Sequence, residues 1–89
     1  MAALLVQSKV KDFANWKTVF DSLDAFRVSS GQISKQVYRD ASDPNKVSVL
    51  AKWNSVANAQ QFAQSTELKA AMEKGGLDGA PTITFLNEA

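Results

Sequence analysis

The feature that most limits how this chain can fold is a central run in which two strands, joined by a short turn, lead directly into a helix. Ile33 to Asp40 and Lys46 to Trp53 both alternate their side chains with the two-residue period of a strand. Between them, Asp43-Pro44-Asn45 predicts a turn, because proline fixes one backbone dihedral and the Asp and Asn side chains bond to their own backbone. The middle of the chain is therefore a hairpin followed by a helix.

The N-terminal part predicts one strand and one helix. Ala2 to Val10 is strand-like, with apolar residues on both faces at its start. Asp12 is a plausible N-cap. The helix predicted after it ends at Ser29-Ser30-Gly31, where Gly31 suits the left-handed C-terminal position. Its apolar stripe recurs at helical spacing and consists of Phe13, Trp16, Phe20 and Leu23.

The C-terminal part repeats this order. Ser55 to Gln64 is helical, and Ser65 or Thr66 begins a further stretch that continues to Lys74, so that either one bent helix or two pieces fit the pattern. Gly75-Gly76 ends it. A last strand, Thr82 to Glu88, follows a strand-initial proline.

The predicted order is β-α-β-β-α-β, which is the α+β ferredoxin-like arrangement in a single domain, residues 1–89. Right-handed crossovers place both helices on one face of a four-stranded antiparallel sheet. The other face is either an ordinary solvated surface or the interface of a face-to-face homodimer, which a thin core favours. The residues predicted at the centre of that interface are Leu5, Tyr38, Leu50 and Leu86.

Composition excludes several functions. Ten basic and nine acidic side chains nearly cancel, which disfavours nucleic acid as a partner. Cysteine and histidine are absent, so no thiolate or imidazole can act as a nucleophile, base or metal ligand, and we expect no metal site. The apolar start is too short for a membrane span or a signal segment. We expect a soluble, cytoplasmic protein.

Four segments resemble the dimeric α/β-barrel superfamily, in particular antibiotic biosynthesis monooxygenases. They are Phe13-Ala14-Asn15-Trp16-Lys17, Val37-Tyr38-Arg39-Asp40 with Asp43-Pro44-Asn45, Lys52-Trp53-Asn54-Ser55, and Leu68-Lys69-Ala70-Ala71-Met72 before Gly75-Gly76.

The resemblance implies a homodimeric barrel with a pocket between the sheet and the helices of each subunit. In some relatives that pocket oxidises an aromatic polyketide without metal or flavin. Other relatives degrade haem with an Asn, Trp and His set, and the absence of histidine here leaves that mechanism unsupported.

Cofactor-free oxygenation needs an acidic substrate and groups that stabilise its anion. The residues predicted to line such a site are Trp53, Tyr38, Arg39 and Asn54. Trp53 could equally serve packing, Tyr38 the dimer interface, and Arg39 a salt bridge with Asp24, Asp40 or Asp43 or a solvated strand end.

Three further polar or aromatic side chains have simpler interpretations: Trp16 as core, Arg27 as a partner of the helix dipole, and Asp24 as an exposed carboxylate. Two functions therefore remain open. One is a cofactor-independent oxygenase or cyclase that acts on a small apolar, aromatic or enolisable molecule. The other is a binding or structural dimer without turnover.

Overall fold

The fold consists of four strands and four helices. The computed structural model describes all residues, 1–89. Its elements, in chain order, are β1 (Ala2–Lys9), α1 (Phe13–Ser22), α2 (Asp24–Ser30), β2 (Gln32–Arg39), β3 (Lys46–Trp53), α3 (Val56–Ala63), α4 (Thr66–Gly75) and β4 (Thr82–Asn87).

The strands form one antiparallel sheet in the order β2-β3-β1-β4. The register places Leu4 opposite both Ala51 and Phe85, and the next residue on the same face, Val6, lies opposite Val49. A bulge at the start of β2, between Gln32 and Ser34, shifts that pairing. The predicted ferredoxin-like sheet and its four strands are confirmed, with strand ends that differ by one residue.

The prediction of a single first helix is wrong, because the helix breaks at Leu23. Leu23 has φ −93° and ψ 4°, and its N–H donates to the carbonyl of Phe20 at 3.2 Å. The side chain of Arg27 donates to the same carbonyl at 2.9 Å, so a group that the break removes from the helix ladder gains a partner. No glycine or proline marks this break in the sequence.

The second helical stretch is two helices, which settles the alternative that the sequence left open. Ser55 caps α3 and Ser65 caps α4, each through a side-chain oxygen that accepts from the backbone N–H three residues later at 3.1 Å. Gly76 ends α4 in the left-handed conformation. The N-cap role of Asp12 is also confirmed, since it accepts from the N–H of Ala14.

The core lies between the sheet and the helices. One buried cluster joins the sheet to α3 and contains Ala2, Leu4, Ala51, Trp53, Ala59 and Phe62. A second cluster contains Val10, Val47 and Val49, against which the aromatic residues of α1 pack. No helix is long and apolar enough to cross a membrane.

The opposite face of the sheet carries no helix. Leu5 and Leu50 are paired there at its centre, Leu86 lies beside Ala3, and Tyr38 lies opposite Ser48. The Tyr38 side chain is 51% exposed. The four residues predicted for the interface therefore share the open face, which is uncovered in the single chain.

Gly31 is predicted to tolerate no side chain. Its φ is +123°, and a Cβ would lie 2.5 Å from Oδ1 of Asn54. Gly79 is a matched control, because its φ of +95° imposes similar backbone strain with no atom within 4 Å of a Cβ. We expect Gly31→Ala to cost about 2–4 kcal/mol of unfolding free energy, against about 1–2 kcal/mol for Gly79→Ala, in urea denaturation. Equal losses would contradict the close approach of Asn54.

Candidate functional site

A small apolar cavity lies between the sheet and the helices. Its volume is about 80 Å³, and 14 of its 17 lining residues are hydrophobic. Leu4 and Val49 form part of its sheet wall, and Trp16, Phe62 and Met72 line it from the helices. Small-molecule sites typically combine such an apolar lining with a few polar groups.

Three polar residues line this cavity, namely Ser8, Arg27 and Gln32. Arg27 and Gln32 are buried, with 4% and 7% of their surface exposed. The Nε of Arg27 and the Oε1 of Gln32 have no hydrogen-bond partner in the protein. Because a buried polar atom without a partner costs roughly 1–3 kcal/mol, these two atoms are candidates to bind a ligand.

The guanidinium of Arg27 is held by three different groups. Its Nη1 donates to the carbonyl of Phe20 at 2.9 Å, and its Cζ lies 3.9 Å from the centroid of the Phe20 ring. Its Nη2 lies 3.4 Å from Oδ1 of Asp24. Together these contacts offset part of the cost of burying the charge and leave Nε free.

Asp24 links Arg27 to the sheet. Its Oδ1 also accepts a short hydrogen bond from Lys35 of β2, so that one carboxylate oxygen faces two cations. The hydrogen bond from Lys35, opposed in part by desolvation, lowers the pKa of Asp24, and the charges of Lys35 and Arg27 add to this effect. Burial lowers the pKa of Arg27, which Asp24 partly raises again; an arginine nevertheless keeps its proton.

An aromatic stack along α1 runs from Arg27 at one end to Arg39 of β2 at the other. The rings of Trp16 and Phe20 are 4.9 Å apart with an interplanar angle of 21°, and Phe13 lies 5.8 Å from Trp16. Arg27 covers Phe20 at one end and Arg39 covers Phe13 at the other, each at 3.9 Å from the ring centroid. Trp16 and Phe20 line the cavity, whereas Phe13 and Arg39 do not.

The four residues predicted for the site do not come together in the single chain, and none of them lines the cavity. Trp53 is fully buried and packs on Phe62 at 5.1 Å between ring centroids; its indole Nε1 has no hydrogen-bond partner. Asn54 lies on an open polar groove together with Gly31 and Asn58, and it accepts from the Asn58 amide. Phe62 is shared by that groove and the cavity.

The other two predicted residues are exposed. The Tyr38 hydroxyl donates to Oε1 of Gln36 on the open face of the sheet. Arg39 lies at the end of β2, where its Nε donates to the carbonyl of Pro44. Arg39 makes no salt bridge with Asp24, Asp40 or Asp43, so its solvated strand-end alternative fits the structure. The functional roles assigned to the four residues stay predictions.

The sequence analysis favoured a helix-dipole role for Arg27 and assigned no role to Gln32. A signal for Arg27 was present, because it follows Leu23 by four residues and so continues the apolar stripe of α1. An arginine at such a position is buried among apolar residues. For Gln32 no signal existed, since its burial results from the bulge at the start of β2.

One wall of the cavity also faces the protein surface. Leu68, Met72 and Leu77 line both the cavity and an outer groove that runs beside α4 and Pro81. Methionine has an unbranched and adaptable side chain. A ligand could therefore enter by displacement of Met72 with little change in the backbone.

These features define a class: a ferredoxin-like domain with a sheet-helix cavity and one buried cation. A model of the antibiotic biosynthesis monooxygenase family matches residues 9–74, most of the chain. The chain belongs to that family, as the resemblance predicted.

Solved structures agree on the fold. A cofactor-independent oxygenase from Streptomyces nogalater, SnoaB, has a TM-score of 0.81 at 12% identity, over 99% of this chain and 92% of that one. A conserved protein from Methanosarcina mazei Go1 has a TM-score of 0.80 at 18% identity, over 99% and 92%. The structure of an antibiotic biosynthesis monooxygenase has a TM-score of 0.78 at 11% identity, over 100% of this chain and 99% of that one. At these identities the likeness shows the fold alone. No curated protein sequence matches the chain.

The Asp24 network predicts a pH-dependent stability. A carboxyl whose pKa is lower in the folded chain stabilises the fold above about pH 4, and this stabilisation is lost as the pH falls through the lowered pKa. We expect Asp24→Asn to lower the Tm at pH 7 and the difference from the native protein to shrink between pH 4 and pH 2. A difference that stays constant over that range would contradict the network.

Proposed function

We propose that this protein oxidises a small, acidic aromatic or enolisable molecule with molecular oxygen, without a metal or an organic cofactor, in the sheet-helix cavity. Family membership and the fold shared with a cofactor-independent oxygenase support the reaction class. The observation that carries the proposal is the buried guanidinium of Arg27, whose Nε has no partner and which lines a cavity that is otherwise almost entirely apolar.

The chemistry needs a stabilised anion more than it needs a strong base. A donor without a partner in an apolar cavity lowers the pKa of a bound C–H or O–H acid, because it favours the charged form. Asp24 is a poor base, since its pKa is lowered and its side chain is 51% exposed. We therefore assign the proton to water and the stabilisation of the resulting enolate or phenolate to Arg27.

The proposed reaction balances without another reactant. The bound carbanion gives one electron to O₂, and the resulting radical pair combines to a C–O bond as a peroxide anion, which takes up a proton. Loss of the remaining proton on that carbon then breaks the O–O bond. The net result is CH₂ plus O₂ giving C=O plus water. The apolar lining keeps water from the anion while oxygen, which is itself apolar, can enter.

Substrate size is limited by the cavity. Its volume of about 80 Å³ is smaller than the roughly 150 Å³ that hold a benzene molecule in a protein core. A one-ring or two-ring substrate needs a modest displacement of Met72, whereas a three-ring anthrone needs a larger one. We therefore expect turnover to favour substrates smaller than anthrone.

The first test is oxygen consumption by the purified protein with enolisable diketones, dihydroxynaphthalenes and anthrone. We expect turnover, and a loss of about 100-fold or more in kcat/KM for Arg27→Gln, the magnitude typical of an oxyanion donor. The matched control is Lys74→Gln, which removes an exposed cation of α4 that makes no ion pair. Circular dichroism confirms that both variants are folded.

Absence of oxygen uptake above the uncatalysed rate with every substrate removes the oxygenase proposal. It favours the alternative, a binding or structural protein without turnover. If instead Arg27→Gln keeps its activity while Trp53→Phe or Arg39→Ala loses it, the reaction belongs to the residues predicted from the sequence.

A second test locates the site. Ala71 lines the cavity, whereas its neighbour Ala70 is exposed. Ala71→Leu adds volume to a space of about 80 Å³, so we expect it to raise KM at least tenfold, while Ala70→Leu leaves KM unchanged. The same KM for both variants would place the substrate elsewhere.

We also propose that the active form is a homodimer that buries the open face of the sheet. The patch of Leu5, Tyr38, Leu50 and Leu86 supports this, since tyrosine and leucine side chains on an uncovered sheet suit a two-fold interface. Analytical ultracentrifugation at micromolar concentration should give a dimer, and Leu50→Lys a monomer. Ala57→Lys, on the exposed side of α3, is the control. A monomeric native protein would remove this proposal.

A further inference from the structure

The charged groups beside the cavity do not cancel. Lys35 and Arg27 are two cations that share one carboxylate, Asp24, and both approach the same oxygen, Oδ1. The Lys35 contact is the closer of the two, while Arg27 stays at 3.4 Å. Lys35 does not line the cavity; it lies on β2 opposite Ala51, on the side of the sheet that faces the helices.

We propose that the cavity selects singly charged organic anions, and that Lys35 is the positioning residue that sets this selectivity, because it shares the carboxylate of Asp24 with Arg27. This inference rests on the proposed function only in that a ligand occupies the same cavity. The ligand class is a small apolar molecule that carries one carboxylate, enolate or phenolate oxygen.

The physical reason is the distance dependence of charge interactions around a guanidinium that is itself buried. A carboxylate that paired closely with Arg27 would neutralise the guanidinium and compete with a bound anion. Because Asp24 Oδ1 is shared with Lys35, its pairing with Arg27 neutralises the guanidinium only in part, and the Nε of Arg27 has no partner in the protein. The sum of the three charges is one positive charge, which one anionic group balances.

Gln32 argues against a second anionic group. Its Oε1 is buried and has no partner, and the residue lines the same cavity. This atom is an acceptor, so it repels a further anionic oxygen and suits a hydroxyl or N–H of the ligand. The cavity therefore offers one charged donor without a partner, on Arg27, and one neutral acceptor without a partner, on Gln32. This combination favours a monoanion over a dianion.

The test compares probes of similar shape and different charge. Benzoate and benzamide form one pair, isobutyrate and isobutyramide form a smaller one, and phthalate supplies the dianion. Binding is measured by titration calorimetry and by the fluorescence of Trp16, which lines the cavity. For the native protein we expect at least one anion to bind tenfold or more tightly than its amide, and phthalate to bind more weakly than benzoate.

Two variants then separate electrostatic selection from a structural role. Lys35→Met keeps the length of the side chain and frees Asp24 to pair with Arg27, so we expect the anion to bind about tenfold more weakly and the amide to be unaffected. Asp24→Asn removes the competing carboxylate, so the anion should bind several-fold more tightly. Lys74→Met, which removes an exposed cation of α4 that makes no ion pair, should change the affinity of neither probe.

Opposite effects of Lys35→Met and Asp24→Asn support the inference, because structural damage would weaken binding in both. Losses of the same sign in both variants overturn it, as do equal affinities for acid and amide or no binding of any probe to the native protein. Selective anion binding without oxygen uptake would remove the oxygenase proposal and leave this inference standing. Turnover that is insensitive to both variants would remove this inference and leave the oxygenase proposal standing.

Discussion

The structure depends on the burial of one charged side chain, Arg27, at the junction of the two N-terminal helices. A buried guanidinium is unfavourable unless polar partners surround it. Here the partners are the Phe20 carbonyl, the Phe20 ring and the carboxylate of Asp24. Each partner belongs to a helix end, so the position of the charge and the break between α1 and α2 depend on each other. The Nε remains without a protein partner, and the proposed function depends on this atom.

The same charge ties the helices to the sheet. Asp24 at the start of α2 accepts a hydrogen bond from Lys35 on β2. Along α1, the ring of Trp16 contacts the rings of both Phe20 and Phe13. The aromatic stack holds one wall of the cavity in place, and close stacking of large rings leaves them few alternative rotamers. A rigid wall around a donor without a partner is what electrostatic stabilisation of a developing anion requires, since such groups must not reorganise during the reaction.

Much of the fold could be predicted from local patterns, and little of the site could. Alternation, the Asp43-Pro44-Asn45 turn and the Gly75-Gly76 stop determine the strands and the helix ends, because they act within a few residues. The break at Leu23 was missed because no glycine or proline marks it, and the side chain that satisfies the freed Phe20 carbonyl lies seven residues away. The burial of Arg27 and Gln32, on which the proposed site depends, could not be predicted for a related reason: both become buried only when the sheet and helices meet. The residues predicted instead, such as Arg39 and Asn54, lie at element ends, where chemistry often occurs but where this chain meets solvent.

The alternation of each strand places the cavity and the open face back to back. Leu4 and Val49 line the cavity, and their neighbours Leu5 and Leu50 project to the other side of β1 and β3. The cavity and the open face are separated only by the single layer of the sheet. Any partner that covers the open face therefore restrains the backbone that forms the floor of the cavity. A domain of 89 residues buries limited apolar area by itself, so such a restraint would add rigidity where an anion-stabilising site needs it most. In the proposed homodimer, the two central strands β1 and β3 would therefore connect the subunit interface to the cavity.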